Sequence, residues 1–374
     1  MNSLLGNPDY QVLETVLSKS LLQVEISNAT DAVEVSAGVK YRPEGDQSTS
    51  VSEVGGYLNL QKSLYDFGRV KHRVAAATAE VEAVAFDNLA KVNELKAQLS
   101  EQYFNLIKGD ADIRHRSEQA RYLAEVIDHL KARSQGGLGS SLDYELLNDE
   151  GETLRLEIQL KQLEVDKLRA VFANNYAVIP TQWFVPSRFL PELYQGEAWT
   201  DKLFLQSVAL RLLDQRLASV RSLKKSAQSD HYPTLALNMA YVESNLAYDL
   251  FTTVDLNLPL YNGGKTQLGI AEKELEITEL LLQIQSERKR VEDQARGLLY
   301  DYKHAAQRFT VYDELVRSKV RLMDVMQERM RRTQGQLQDL YQIKKGMADA
   351  RVPRDRALID ALYFAYLSRL LIGA

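Results

Sequence analysis

Cysteine is absent from this chain of 374 residues, which excludes disulfide bridges, thiolate metal sites and a lipidated amino-terminal cysteine in the sequence as given. No run approaches the roughly 18 uncharged apolar residues of a transmembrane helix, so a helical membrane span is excluded. A transmembrane β-barrel is not excluded, because its alternating strands barely register in hydropathy. The start of the chain lacks a charged segment followed by an apolar one, so no signal peptide is visible.

The chain also lacks an excess of basic residues, with 46 Lys and Arg against 51 Asp and Glu. The net charge of -5 and the pI near 5.7 provide no basic surface, so we expect no nucleic-acid partner. No metal-ligand spacing or catalytic pattern links the histidines, and we expect them to be solvated. The sequence therefore predicts no enzyme: no catalytic residue, no metal site and no cofactor. The histidines are His72, His115, His129, His231 and His304.

What the chain does contain is an internal repeat with an offset of 196 positions. Leu60, Tyr65 and Gly68 of the first copy match Leu256, Tyr261 and Gly264 of the second. Solenoid repeats have periods of roughly 20 to 50 residues, so this offset indicates two structural halves instead. We place the first repeat at 1–177 and the second at 200–374, with an irregular equatorial linker at 178–199 that is rich in proline.

Each repeat contains a pair of alternating strands, at 31–64 in the first and at 232–243 and 249–260 in the second. The apolar stripes run for the roughly 9 to 11 residues that a tilted strand needs to cross a bilayer. An antiparallel sheet on a soluble core alternates in the same way, and alternation alone favours that interpretation. The residues expected on the apolar side are Val35, Val39, Leu58, Leu60, Leu237, Met239, Val254 and Leu256.

Long helices follow the strands and change this balance. A short initial helix precedes each strand pair, and a very long helix follows it, at 70–133 and at 265–332. At 1.5 Å per residue the first of these would measure about 100 Å, with apolar residues at coiled-coil spacing. Returning helices are expected at 142–176, with Ser141 as the amino-terminal cap, and at 338–371.

These features together resemble the TolC family of outer-membrane efflux and secretion channels, over essentially the whole chain. Two turns, each following an alternating strand and opening a long helix, carry most of the resemblance. The matching residues are Asn7-Pro8, Leu64-Tyr65-Asp66-Phe67-Gly68-Arg69, Tyr232-Pro233-Thr234-Leu235 and Leu260-Tyr261-Asn262-Gly263-Gly264-Lys265.

The resemblance implies a mainly α protein with a small β part, assembled as a homotrimer. Three chains would form a twelve-stranded β-barrel in the outer membrane of a Gram-negative bacterium and a twelve-helix α-barrel in the periplasm. The implied partners are outer-membrane lipid, a periplasmic adaptor (membrane fusion) protein and an inner-membrane transporter. The implied function is that of a passive exit duct, gated at its periplasmic helical tips.

The resemblance also implies roles for residues at the helical tips. Asp143 and Asp339 would line the periplasmic gate, where symmetry-related carboxylates attract cations. Their alternative role is to complement the helix dipole at an amino terminus. Contact with the adaptor, and between tips, is expected of Arg133, Gly139, Arg329, Arg331, Arg332 and Gly335.

Two alternatives stay open within and beyond this family. The missing lipidated cysteine and the tip sequences favour type I protein secretion, with an ABC-type transporter, over a multidrug efflux pump with an RND-type transporter. From a different class, a coiled-coil scaffold protein would explain the long helices, but it leaves the alternating strands unexplained.

Overall fold

The structure is a computed structural model that describes residues 8–42, 53–136, 140–176, 203–244, 248–332 and 337–371. It confirms the expected mainly α fold with a small β part. No helix within these ranges is both long and apolar enough to cross a bilayer. The predicted linker at 178–199, Gly139 and Gly335 lie outside the described residues. The helices are α1 (Pro8–Ala29), α2 (Arg69–Gln135), α3 (Ser141–Tyr176), α4 (Val208–Ser229), α5 (Lys265–Arg332) and α6 (Leu337–Leu371).

The described strands form one antiparallel sheet in the order β1-β2-β3-β4, with β1 and β4 at its edges. A register shift between Ser63 and Tyr65 marks the end of the pairing between β2 and β3. The strands are β1 (Glu34–Arg42), β2 (Glu53–Tyr65), β3 (Thr234–Ser244) and β4 (Tyr248–Asn257).

Several local boundaries differ from the sequence expectations, among them β1, β4 and the cap of α3. β1 begins at Glu34 and not at residue 31, because a turn follows α1 in which the amide of Ala32 donates to the carbonyl of Ala29 at 2.9 Å. β4 ends at Asn257, the last residue with a partner on β3. The cap of α3 is Ser140 and not Ser141, since the Ser140 hydroxyl accepts a hydrogen bond from the amide of Asp143 at 3.4 Å.

By its contacts the chain divides into two compact units, and each contains parts of both repeats. Unit 2 comprises Val12–Ala90 and Val208–Lys289, and it therefore holds the whole sheet. Unit 1 comprises Met1–Gln11, Lys91–Ser207 and Arg290–Ala374.

In unit 2, α1 and α4 both pack against α2. The amide of Asn88 on α2 donates to the Leu13 carbonyl of α1 at 2.8 Å. On the α4 side, the guanidinium of Arg211 lies 5.9 Å from the Phe86 ring.

In unit 1, apolar clusters join α2 to α3 and to α6. Leu106 of α2 and Val165 of α3 belong to one buried cluster, and Phe104 and Ile359 belong to another that links α2 with α6. A Cβ at Gly109 would come within 2.4 Å of Val165, so the glycine permits the close approach of α2 and α3. The two returning helices therefore pack on the same long helix.

Candidate functional site

The register puts all eight residues expected on the apolar side onto one face of the sheet. Directly paired residues of antiparallel strands point to the same side, and the side alternates along each strand. Val35 pairs with Leu60, and Leu60 with Met239, so the three side chains share a face. We call this the apolar face; it includes Val35, Val39, Leu58, Leu60, Leu237, Met239, Val254 and Leu256.

The opposite face is polar. Asn238 of β3 donates a hydrogen bond to the Asp255 carboxylate of β4. The ring of Tyr57 covers Gly38, where a Cβ would come within 2.6 Å of it. This polar face carries Glu34, Ser36, Asn59, Gln61, Asn238, Thr253, Asp255 and Asn257. The sheet is thus amphipathic across its thickness.

The sheet is open on its faces and at its edges. Every residue of β4 is exposed, and Val39 on β1 is 75% exposed. Edge strands present unpaired amide and carbonyl groups that pair readily with another strand. An exposed apolar face with two free edges requires a further partner, either lipid or protein.

A turn with two residues at positive φ connects each repeat's second strand to its long helix. In the first turn, at residues 66–69, φ is 55° at Phe67 and 82° at Gly68. In the second turn, at residues 262–265, φ is 69° at Gly263 and 83° at Gly264. A residue with a side chain pays about 1 kcal/mol for this conformation, so Phe67 is retained at a cost that glycine avoids. The first turn also caps α2, because the amides of Gly68 and Val70 donate to the Asp66 carboxylate at 3.0 and 2.6 Å.

The tip carboxylates predicted at the gate stand in the first turns of α3 and α6. Asp143 is half-buried and Asp339 is exposed. Leu147 and Tyr341, close behind them, share one buried cluster, so both carboxylates lie at the same end of unit 1. Both carboxylates also have the first-turn position that their alternative role, complementing the helix dipole, requires. A role at the gate stays a prediction.

The tip arginines occupy the ends of the long helices. Arg133 lies in the last turn of α2 and Arg329 in the last turn of α5, and both side chains are exposed. Arg331 and Arg332 are helical, but their side chains lie outside the described part of the chain. Contact with an adaptor stays a prediction.

A partly buried polar cluster behind the tips links the two repeats. The hydroxyl of Tyr341, which is fully buried, donates to the Glu150 carboxylate at 2.7 Å, and Lys345 donates to the same oxygen at 2.5 Å. Burial, reinforced by the Glu150 carboxylate, raises the pKa of Tyr341 above its ordinary value. The ammonium of Lys344 lies 3.4 Å from the centre of the Tyr122 ring, and burial lowers its pKa. The α3 and α6 tips are therefore joined inside each chain.

Further from the tips, ion pairs join α2 to α6. Arg356 makes a two-pronged contact with Asp112, in which Nε lies 3.0 Å from Oδ1, and Asp112 is only 2% exposed. One turn earlier on α2, Lys108 Nζ lies 2.5 Å from the Asp360 carboxylate. The hydrogen bond from Arg356 to Asp112 raises the pKa of the guanidinium.

His115 corrects the expectation that the histidines are solvated. It is 7% exposed, and its Nε2 lies 2.7 Å from the Asp355 carboxylate of α6. Burial alone raises the pKa of Asp355, but hydrogen bonds from His115 and Arg354 outweigh it and hold that pKa below its ordinary value. The histidine is thus a structural link between the repeats.

Sequence reasoning missed these contacts, although one signal was present. Lys108 and Asp112 are four residues apart on α2, and Arg356 and Asp360 are four apart on α6, with the cation first in both pairs. Antiparallel helices bring such patterns together. No comparable signal marks the pair of Tyr341 and Glu150.

By sequence, the chain matches no protein-family model and no curated protein.

Solved structures do match it. The outer membrane protein VceC from Vibrio cholerae matches with a TM-score of 0.78 at 13% identity, over 100% of this chain and 94% of VceC. The CmeC outer membrane channel of Campylobacter jejuni matches with 0.78 at 14% identity, over 100% of this chain and 84% of CmeC. The open state of the MtrE outer membrane channel of Neisseria gonorrhoeae matches with 0.74 at 14% identity, over 100% of this chain and 87% of MtrE. The chain thus has the fold of TolC-like outer-membrane channels, as its sequence motifs predict.

Proposed function

From this fold, we propose that three copies of the chain form an outer-membrane channel that serves as the exit duct of a tripartite export system. The observation that carries the proposal is the amphipathic sheet with its two free edges. A membrane-spanning sheet must close on itself, because lipid offers no partner for unpaired edge groups. Closure takes about eight strands at least, and one chain supplies four in the described ranges, so several copies have to combine.

The width of the apolar face fits a bilayer. Along β3 the apolar face extends from the pair of Leu235 and Leu256 up to the pair of Glu243 and Tyr248, where the charge of Glu243 ends it, a distance of eight residues. At about 3.3 Å per residue this is about 26 Å along the strand, or about 20 Å along the membrane normal at a typical tilt. Outward-facing apolar bands of membrane barrels are of order 25 Å tall. The apolar face is therefore assigned to lipid and the polar face to a watery lumen.

Unpaired apolar stripes on the helices support assembly in both units. On α3, Leu156, Leu160 and Leu163 are 58 to 68% exposed at helical spacing. On α5, Leu268, Leu275 and Leu282 form an exposed stripe at heptad spacing. Packing between copies would cover such stripes.

At its helical tips the duct is proposed to meet a periplasmic adaptor protein and, through it, an inner-membrane transporter. For the type of export system, we propose type I protein secretion with an ABC-type transporter. The resemblance of the tip sequences to secretion channels supports this choice. Multidrug efflux with an RND-type transporter is the competing outcome. Deleting the gene in its host should abolish export of one or a few proteins in the first case, and should raise accumulation of a dye such as ethidium in the second.

The proposal is tested by fractionation and electrical recording. The expressed protein should be recovered in the outer-membrane fraction as a heat-modifiable oligomer, and the purified protein should produce stepwise conductance in planar lipid bilayers. Recovery in a soluble fraction, without conductance, would support the coiled-coil scaffold instead. As a control, Leu60→Arg protein should be depleted from the membrane fraction.

A further inference from the structure

The two repeats bury their equivalent surfaces unequally. The hairpins superpose by register: Glu34 pairs with Gln61, and the residues 200 and 196 positions later, Thr234 and Asn257, pair likewise. The helices that precede the two hairpins begin at equivalent positions, since α1 begins at Pro8 and α4 begins at Val208. Each residue around β1 thus has an equivalent around β3, and each residue around β2 has one around β4.

Inside the chain, the first turn is seated on the junction between α4 and β3, residues 226–232, which we call the second junction. The hydroxyls of Ser226 and Ser229 donate to the carbonyls of Arg69 and Phe67, both at 3.1 Å. Arg69 Nε lies 2.7 Å from the Asp230 carboxylate. These contacts bury both serines.

Aromatic rings complete this seat. The Phe67 ring stacks on Tyr232 with 5.0 Å between centroids and meets Tyr65 edge-on at 4.7 Å. The stack explains why a phenylalanine is kept at a φ of 55°, where the second turn has Gly263.

The equivalent surfaces of the other repeat are unoccupied in the single chain. The first junction, residues 26–32 between α1 and β1, has the same turn hydrogen bonds, yet Ile26 is 59% exposed where Ser226 is buried. On the second turn, Tyr261 is 90% exposed. A Cβ at Gly263, Gly264 or Gly269 would meet nothing within 4 Å. A positive φ accounts for glycine at positions 263 and 264, whereas no contact inside the chain accounts for Gly269.

Resting on the proposed trimer, we propose that the second turn of one copy seats on the first junction of the next copy, with Gly263 against Ala32. The in-chain pairing of Leu60 with Met239 then becomes a pairing of Leu256 with Val39 of the next copy. This register keeps both residues on the apolar face, so the apolar face continues from one copy to the next. In this arrangement the edge strand β4 of one copy runs antiparallel to the edge strand β1 of the next copy, as in the all-antiparallel barrels of outer membranes.

The contact between copies differs in chemistry from the contact within a chain. Ile26 and Ala29 stand where Ser226 and Ser229 donate, Thr30 stands where Asp230 pairs with Arg69, and Ala32 stands where Tyr232 stacks. The seat inside the chain is aromatic and ionic, whereas the seat between copies is a close approach of glycine to alanine. A first turn carrying Phe67 would clash with the small first junction, so the difference keeps each turn on its own seat.

Engineered cysteines test the register, because the chain has none of its own. Oxidation of the double variant Leu256→Cys/Val39→Cys should link copies into covalent dimers and trimers on a denaturing gel. The equivalent in-chain pair, Leu60→Cys/Met239→Cys, should oxidise within single chains. Linkage in the slipped variant Val254→Cys/Val39→Cys instead, in a protein that is trimeric by mass, would overturn the register and leave the proposed function standing. A protein that forms no trimer would overturn both.

Exchange of the seats tests the contact itself. Gly263→Phe should lose the trimer on a mild detergent gel. Helix content should stay unchanged, because the position is open within the chain and the positive φ costs a side chain only about 1 kcal/mol. Ala32→Tyr adds bulk to the same close approach, so the double variant should not regain the trimer. Gly263→Phe protein that stays fully trimeric, or a double variant that regains the trimer through an aromatic stack, would contradict a close approach at this position.

Discussion

Removal of the Arg356 guanidinium is the sharpest test of the link between α2 and α6. Arg356→Met keeps the length of the side chain but leaves the Asp112 carboxylate, 2% exposed, without its two-pronged partner. Leaving a buried group without its partner costs about 1 to 3 kcal/mol, and the cost stays below that of a fully buried ion pair because the Arg356 side chain is itself 44% exposed. We expect a loss of this size in the free energy of unfolding of the helical part.

Arg116 supplies the matched control. It pairs with Glu157 between α2 and α3, but its side chain is 38% and that of Glu157 49% exposed. Exposed pairs contribute about 0 to 1 kcal/mol, so Arg116→Met should cost little. The assay is guanidinium unfolding of the detergent-solubilised protein, followed by helix circular dichroism at 222 nm.

Two results would refute this reasoning. Equal destabilisation by Arg356→Met and Arg116→Met would show that burial of Asp112 does not govern the cost. The double variant Asp112→Leu/Arg356→Met should recover most of the loss, since an apolar pair leaves no stranded charge. Failure to recover would mean that Arg356 acts through packing and not through its charge.

Three further predictions concern the sheet, the gate and the pH dependence. Leu60→Arg on the apolar face should cost about 2 to 4 kcal/mol and deplete the trimer, whereas Asn59→Arg on the polar face should assemble normally; equal assembly would remove the lipid assignment. Asp339→Asn should weaken cation selectivity in single-channel recordings if this carboxylate lines the entrance, and unchanged selectivity would leave it as a helix cap. The pKa of Asp355 lies below its ordinary value of 3.8, so its bonds to His115 contribute stability above that value and lose it as the pH falls through the lowered pKa. Asp355→Asn should flatten this acid limb of stability, and an unchanged limb would assign it to other carboxylates.

Alternation and turn motifs were sufficient to predict the sheet and its sidedness. A period of two forces alternate residues to opposite faces, so Val35 and Leu60 could be assigned to one face before their pairing was known. The repeat likewise predicted two equivalent turns. The sequence could not show that Phe67 has a positive φ, because the motif matches a glycine in the second repeat and a phenylalanine in the first.

Contacts between distant segments were largely beyond sequence reasoning. His115 has no pattern that separates a buried ion-paired histidine from a solvated one, because its partner lies 240 positions away on α6. Tyr341 and Glu150 are separated by 191 positions and have no shared periodicity. The matching order of charges on α2 and α6 was readable, but only once the two helices are known to be antiparallel neighbours.

The mass of the purified, folded protein in detergent tests the central claim most directly. Three chains of 42.4 kDa should give a particle of about 127 kDa after correction for bound detergent. Native mass spectrometry or light scattering should find this species as the folded form, with no helical monomer in equilibrium at micromolar concentration. A well-folded particle of 42.4 kDa as the only species would contradict the account, because the edges of the sheet and the apolar stripes would then be stable without a partner.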